Sequence, residues 1–164
     1  MYQITVPVLI RSISNLTGIL KKAEEYSKNN SISEEEMLNK SLAPDMFNLT
    51  RQIQIVSDVA KGCASRLAGQ EPPSFEDNET SFSELYTRLE KTLEHLNNFD
   101  SNQIDGTEDN TITLKLPNLE VSFSGLEFAM NFAMPNFYFH MTTAYAILRN
   151  SGMELSKFDY LGKP

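Results

Sequence analysis

The sequence predicts an all-α fold in which four long helices gather as a bundle, with a short helix after the first and a small β-hairpin between the third and fourth. Three observations carry this expectation. Apolar residues recur at three-and-four spacing over four long stretches. Serine-led capping boxes and Gly or Pro breakers separate those stretches. One interval, Thr111 to Phe123, alternates apolar and polar residues instead. With 164 residues the chain is about one domain long, so residues 1–164 are expected to form a single domain with a core that needs no disulfide or metal.

Thr5 is the expected N-cap of the first helix, with Pro7 in the first turn, where a missing N–H costs nothing. Val6, Leu9, Ile10, Ile13, Leu16, Leu20 and Ala23 form its core stripe, and it should end between Ser27 and Asn30. Ser33 with Glu36 forms a capping box, and Ile32 with Met37 a hydrophobic staple, so a short helix follows. The second long helix is expected from about Pro44 to Gly69, a natural left-handed residue beyond a helix end. Its Leu49, Ile53, Val56, Ala60, Cys63 and Leu67 repeat as the seam of an antiparallel bundle.

Gln70 to Thr80 contains Pro72-Pro73 and four acidic residues and can only be a loop. Ser81 and Glu84 cap the third long helix, whose apolar face is Phe82, Leu85, Leu89, Leu93 and Leu96, and Asn97-Asn98 ends it. Thr111–Leu116 and Leu119–Phe123, joined by Pro117-Asn118, then read as a hairpin. Two strands alone are marginal, so Ile112, Leu114 and Leu116 should face the helices. Ser124 and Glu127 cap the fourth long helix, which between Val121 and Gly152 has only Glu127 and Arg149 as charges. So little charge predicts contact on several sides. In the tail, Leu155, Phe158 and Leu161 are placed to lap over the bundle.

An apolar fraction of 40% with 22% charged residues excludes a disordered chain. No apolar run reaches the roughly 18 residues needed to span a membrane. The start, MYQITVPVLIRSI, lacks a basic segment and a small-residue cleavage site, so it reads as the first helix and a cytoplasmic protein is the default. The lone Cys63 cannot form an internal disulfide and suits a buried thiol. Of the net charge of -8, the interval Glu71–Asp109 carries -9, from eleven acidic residues against Arg88 and Lys91. No stripe of Lys and Arg is left to face phosphates, which excludes a nucleic-acid partner, and the acidic interval reads as a solvated surface.

The most informative stretch is Ala129 to Arg149, AMNFAMPNFYFHMTTAYAILR, which sets His140 in a nearly uncharged aromatic and methionine-rich helix. Pro135 removes the amide partner of the Asn131 carbonyl, so the axis should bend or restart there. Helical steps put Ala133, Asn136, Phe137, His140, Thr143, Ala144 and Ile147 on one face, and Gln52 of the second helix also points to the apolar side. Three readings stay open. Gln52, Asn136, His140 and Thr143 can satisfy one another and fix the helix register. They can also line a small-molecule pocket with Phe137, Tyr138, Tyr145 and methionines, His140 being its polar centre and a candidate catalytic group. Or His140 can ligate zinc or nickel with Asp45 as the nearest carboxylate, although such ions normally take three or more His, Cys or carboxylate ligands. His95, near the end of the third helix, is expected to be exposed.

The run PNFYFHMTTAYAILR, with LAPDMF, RQIQIVSDVAKG, RLAGQEPPSFEDNETSF and the closing KFDYLG, resembles an uncharacterised family of the DinB-like superfamily, domain of unknown function number nineteen ninety-three. The resemblance spans essentially the whole chain. It implies an up-down four-helix bundle that is frequently a homodimer. In metal-binding relatives of that superfamily, a histidine on the second helix and two histidines four apart on the fourth hold a divalent metal. Here His140 matches the last of these, Asn136 stands at its partner, and Gln52 is the nearest counterpart on the second helix. Some relatives are thiol S-transferases or isomerases whose metal activates a small thiol; amides are poor ligands for such a metal, which leaves a degenerate site.

Overall fold

A computed structural model describes residues 1–116 and 119–162, with only the backbone at 116. A 3₁₀ turn, Tyr2–Ile4, leads into α1 (Val6–Asn29), and α2 (Glu34–Leu38) follows. The other long helices are α3 (Leu49–Leu67), α4 (Phe82–Leu96) and a composite helix made of α6 (Gly125–Glu127), a π-helical segment (Phe128–Ala133) and α7 (Met134–Asn150). Between them lie α5 (Ser101–Ile104) and a hairpin of β1 (Thr111–Leu116) with β2 (Leu119–Ser124), and α8 (Lys157–Leu161) ends the described chain. The chain is a four-helix bundle whose apolar stripes meet in one core. Leu9, Ile13 and Leu16 of α1, Ile53, Val56 and Ala60 of α3, Leu85 and Leu89 of α4, and Phe137 and Ala144 of α7 are all fully buried there.

Local chemistry sets most boundaries. Capping boxes at Ser81/Glu84 and Ser124/Glu127 start α4 and α6, each serine oxygen accepting from the backbone N–H three residues on. Ser33 caps α2 in the same way, while Glu36 pairs with Lys40. The second long helix starts five residues later than Pro44, because the Asn48 side chain accepts from Arg51 N and fixes Leu49 as the first helical residue. Thr5 is the N-cap residue of α1, but its hydroxyl donates backward to the Met1 and Tyr2 carbonyls. Gly69 beyond α3 has φ +70, a left-handed conformation that glycine adopts without a Cβ clash.

Direction along the bundle follows from cross-helix contacts. Tyr86 Oη donates to Glu24, so the start of α4 lies by the end of α1 and the two are antiparallel. Gln52 meets His140 while Val59 shares a cavity wall with Phe132, so α3 and α7 are antiparallel as well. By contrast Asp58 meets Arg88, Ser57 meets Thr92 and Ser65 meets His95, and these rising pairs make α3 and α4 parallel. A parallel neighbour needs a connection that returns along the bundle. The irregular segment 68–81 is that crossover.

Arg88 holds the crossover down. Its guanidinium, on a residue 2% exposed, donates to Glu79 at 2.9 Å, to the Glu76 carbonyl at 3.0 Å and to Asp58 at 2.8 Å, and pairs with Asp77 at 3.0 Å. Phe75 stacks under both Arg88 and Lys61. Burial disfavours the cation, and the carboxylates outweigh it, holding its pKa above the ordinary value. Part of the acidic interval is thus ion-paired structure and not the solvated surface its composition suggests.

The strands pair from Thr111↔Ser124 to Leu116↔Leu119, with Ile112 and Leu114 buried against the helices. The Pro117-Asn118 turn and the inward placement of the Leu116 side chain lie outside the described residues. Of the three tail residues expected to lap the bundle, Leu155 alone is buried, with Met153 beside it in the core. Phe158 and Leu161 are 60% and 45% exposed, because α8 docks on α1 through Lys22–Asp159 and Asn15 to the Tyr160 carbonyl, polar contacts that leave those side chains outward.

Replacing Arg88 by leucine leaves buried Glu79 without its cation and the crossover unpinned, while Asp58 and Asp77 keep only Lys61 and Arg51. Urea denaturation should show a stability loss of about 3 kcal/mol. Arg88→Lys should recover less than half of it, since one ammonium cannot reproduce the fork geometry.

Candidate functional site

The site is built where α3 and α7, the most extensively packed helix pair, cross near the first turn of α3. The π-helical segment precedes α7, and the α-helix restarts at Met134 with Pro135 in its first turn, as the proline predicts. From there Ala133, Phe137, His140, Ala144 and Ile147 turn their side chains into the bundle. His140 reaches Gln52, with Nδ1 2.7 Å from Gln52 Oε1. Gln52 itself is 1% exposed and donates from Nε2 to the Phe47 carbonyl at 3.1 Å.

That second bond fixes the protonation state of the first. With its NH₂ committed to Phe47, Gln52 offers only an oxygen to the imidazole, so His140 must donate from Nδ1–H. Nε2 is left as a lone-pair acceptor. It makes no hydrogen bond among the described residues and keeps a small solvent contact, on a residue 9% exposed. Burial and then the nearby Arg51 cation lower the His140 pKa, which keeps the ring neutral.

The other expected site residues divide. Thr143 is 6% exposed but donates to the Phe139 carbonyl in its own helix at 2.7 Å, so it is satisfied locally. Asn136 is half-buried and has no hydrogen bond to His140. Phe137 is fully buried core beneath the histidine, and exposed Tyr138 packs edge-on against it. Tyr145 is not brought to His140: its hydroxyl donates to the Leu155 carbonyl and its ring packs on Tyr160, because five residues along a helix turn it to another face. Asp45 stands exposed in the loop before α3, with no bond or ion pair to His140. His95 is half-buried, not exposed. Ser65 Oγ holds its Nε2 at 2.8 Å and Phe99 covers its ring, so α3 shelters the end of α4.

Two neighbours escaped the sequence reading. Phe47, 57% exposed, provides the carbonyl that orients Gln52, and Arg51 lies over its ring at 5.9 Å. Phe139, 59% exposed, packs edge-on against His140 at 5.1 Å. The signal for the first was present, as Phe47 and Arg51 flank an Asn that caps the helix carrying Gln52. One exposed aromatic ring, Phe139, thus packs against the imidazole, while Phe47 acts on it through its backbone carbonyl and Gln52.

A divalent metal does not fit this donor set. Among the described residues no three His, Cys, Asp or Glu side chains converge, and the two amides nearest the superfamily positions are a committed Gln52 and a neutral Asn136. Cys63, buried against the core, has its thiol pushed up to about 12 by burial, so it offers no thiolate. Among the described residues no helix is long and apolar enough to cross a membrane.

Comparison with known proteins came out as follows. Residues 1–161 match the family model described as Domain of unknown function (DUF1993). Among solved structures the chain is similar to a DinB family member protein from Shewanella denitrificans, at 39% identity with a TM-score of 0.90, covering 99% of this chain and 92% of that one. No curated protein matches the sequence.

The lowered pKa of His140 couples the site to stability. Its folded value lies below the usual 6.5, so the unfolded chain binds the extra proton and stability falls as pH drops from 6.5 toward the folded pKa. His95 is shifted the same way, by burial first and Lys61 second. Denaturant midpoints measured from pH 7.5 to pH 5 should therefore decline, and His140→Gln should flatten part of that slope. An unchanged slope in both His140→Gln and His95→Gln would contradict the burial of these rings.

Proposed function

Since the chain belongs to the DUF1993 family, we propose that its His140–Gln52 pair is a recognition site for a small, largely apolar molecule with one hydrogen-bond donor, and that it works without a resident metal. The observation that supports this reading is the held tautomer. A neutral imidazole whose Nε2 lone pair has no partner among the described residues and whose ring packs on exposed Phe139 is matched to a ligand with a flat apolar body and an O–H or N–H. Gln52 and the Phe47 carbonyl act as the positioning groups, and Arg51 disfavours protonation. His140 in this state is also equipped to take a proton from a bound donor, the first step of general base catalysis.

A titration with 4-ethylphenol, followed by the ¹⁵N signals of the histidine side chains, tests it. The Nε2 resonance of His140 should move saturably while Nδ1 stays protonated. His140→Phe should weaken binding by about tenfold or more, the share of one buried hydrogen bond to an imidazole. Zinc binding tightly at one equivalent, or no response of His140 to the phenol, would remove the proposal.

We propose self-association as a second property, supported by exposed Tyr138 and Phe139 on α7 and Phe158 and Leu161 on α8. Thr142 bonds Tyr160 at 2.9 Å, which brings those two helices side by side. Light scattering at tens of micromolar should give twice the monomer mass of 18.6 kDa, and Phe158→Asp should return it to 18.6 kDa. A monomer in the unaltered protein would dispose of this property.

A further inference from the structure

A cavity of about 620 Å³ lies between the hairpin, α3 and the π-helical segment, at the end of the α3–α7 seam away from Gln52. Its volume falls within the range of roughly 300–1,000 Å³ common for small-molecule sites. Ile112 and Leu114 of β1, Val59 of α3, and Phe128 and Phe132 of the π-helical segment give it apolar walls. The hairpin therefore does not simply close over the core; its two buried side chains roof a space. The π turn forms the opposite wall, and such turns recur at functional sites because they displace side chains from the ordinary helical register.

Charge at the rim is distributed unequally. Arg66, half-buried, and Lys115, exposed, both line the cavity and have no ion-pair partner among the described residues. Asp58 also lines it, but Arg88 at 2.8 Å and Lys61 at 2.9 Å already neutralise that carboxylate. Glu71 stands exposed at the crossover edge. Arg66 has its place prepared, since its guanidinium lies against buried Gly62, where a Cβ would come within 2.3 Å of Nη1. A helical glycine is unfavourable by roughly 1 kcal/mol relative to alanine, and here it frees the surface on which the guanidinium rests.

We propose that this cavity is a second binding site, distinct from His140, for a monocarboxylate with an apolar chain or ring, its carboxylate paired to Arg66 with Lys115 nearby and its apolar body between the hairpin and the π-helical segment. A planar guanidinium takes a carboxylate through two parallel hydrogen bonds, which favours this headgroup over a cation or a neutral alcohol.

Decanoate is the probe, decylamine its charge-reversed counterpart. In the unaltered protein, methyl NMR should show saturable shifts at Val59, Ile112 and Leu114 with decanoate and none with decylamine at equal concentration. The chain has no tryptophan, so Phe132→Trp places a sole indole in the wall, whose emission should change along the same binding curve. Arg66→Gln in that background should weaken decanoate about tenfold, while circular dichroism shows an unchanged helical fold. Shifts centred on Met141 and Ala144 beside His140, equal binding of decylamine, an unchanged affinity in Arg66→Gln, or no saturable response would each overturn the assignment.

Discussion

The buried Arg88 guanidinium is the constraint on which the architecture turns. Placing α4 parallel to α3 requires a long return of the chain, and a proline-rich, acidic segment has little apolar surface with which to hold itself against the helices. One cation paired with Asp58, Asp77 and Glu79 and donating to a backbone carbonyl, with Nε alone left without a partner, converts that segment into a fixed strap. A charge so deep in the protein is tolerated only with partners at this density. The strap in turn carries Asp77 to Arg51 and Glu79 to Gln54, so the same network steadies the first turns of α3.

The His140 site inherits its geometry from that arrangement. Asn48 ends the loop and starts α3; the start of α3 sets Gln52, and the Phe47 carbonyl just before the cap decides which end of the Gln52 amide meets the imidazole. Protonation at His140 is thus determined by backbone placement outside the helix that carries it. The opposite end of the same seam is built differently, with apolar strands and a widened helical turn around open volume. Two helices accordingly present a hydrogen-bonded imidazole at one end and a cavity under the hairpin at the other.

Much of the fold was legible because its signals are local. The serine and glutamate pairs at 81/84 and 124/127, the alternation from Thr111 and the apolar stripes each depend on residues within a turn or two. What escaped was set partly by short caps that compete with stronger neighbouring signals and partly by distant partners. Pro44 and Asn48 are both acceptable helix starts, and only the structure shows that Asn48 takes the cap, while the Asp100–Gln103 box that starts α5 is short enough to pass as a loop. The parallel course of α3 and α4 was implicit in the length of the crossover, which exceeds what adjacent antiparallel helices need. At the site, helical counting joined Gln52 and His140 on facing surfaces. It could not show that Thr143 bonds the backbone of its own helix, that Tyr145 serves the C-terminal segment, or that the Phe47 carbonyl orients Gln52 while Phe139 packs on the imidazole, since these depend on how neighbouring elements are placed.

The π-helical segment Phe128–Ala133 also acts as a phase shift. Each residue of an α-helix advances the side-chain direction by about 100°. A turn with one residue more than the α pattern therefore rotates everything after it relative to everything before it. Phe128 and Phe132 face the cavity on one setting, and His140 meets Gln52 on the other. Had the chain continued as plain α-helix, no single azimuth would serve both, so the two ends of the seam hold different chemistry because one loosened turn lies between them.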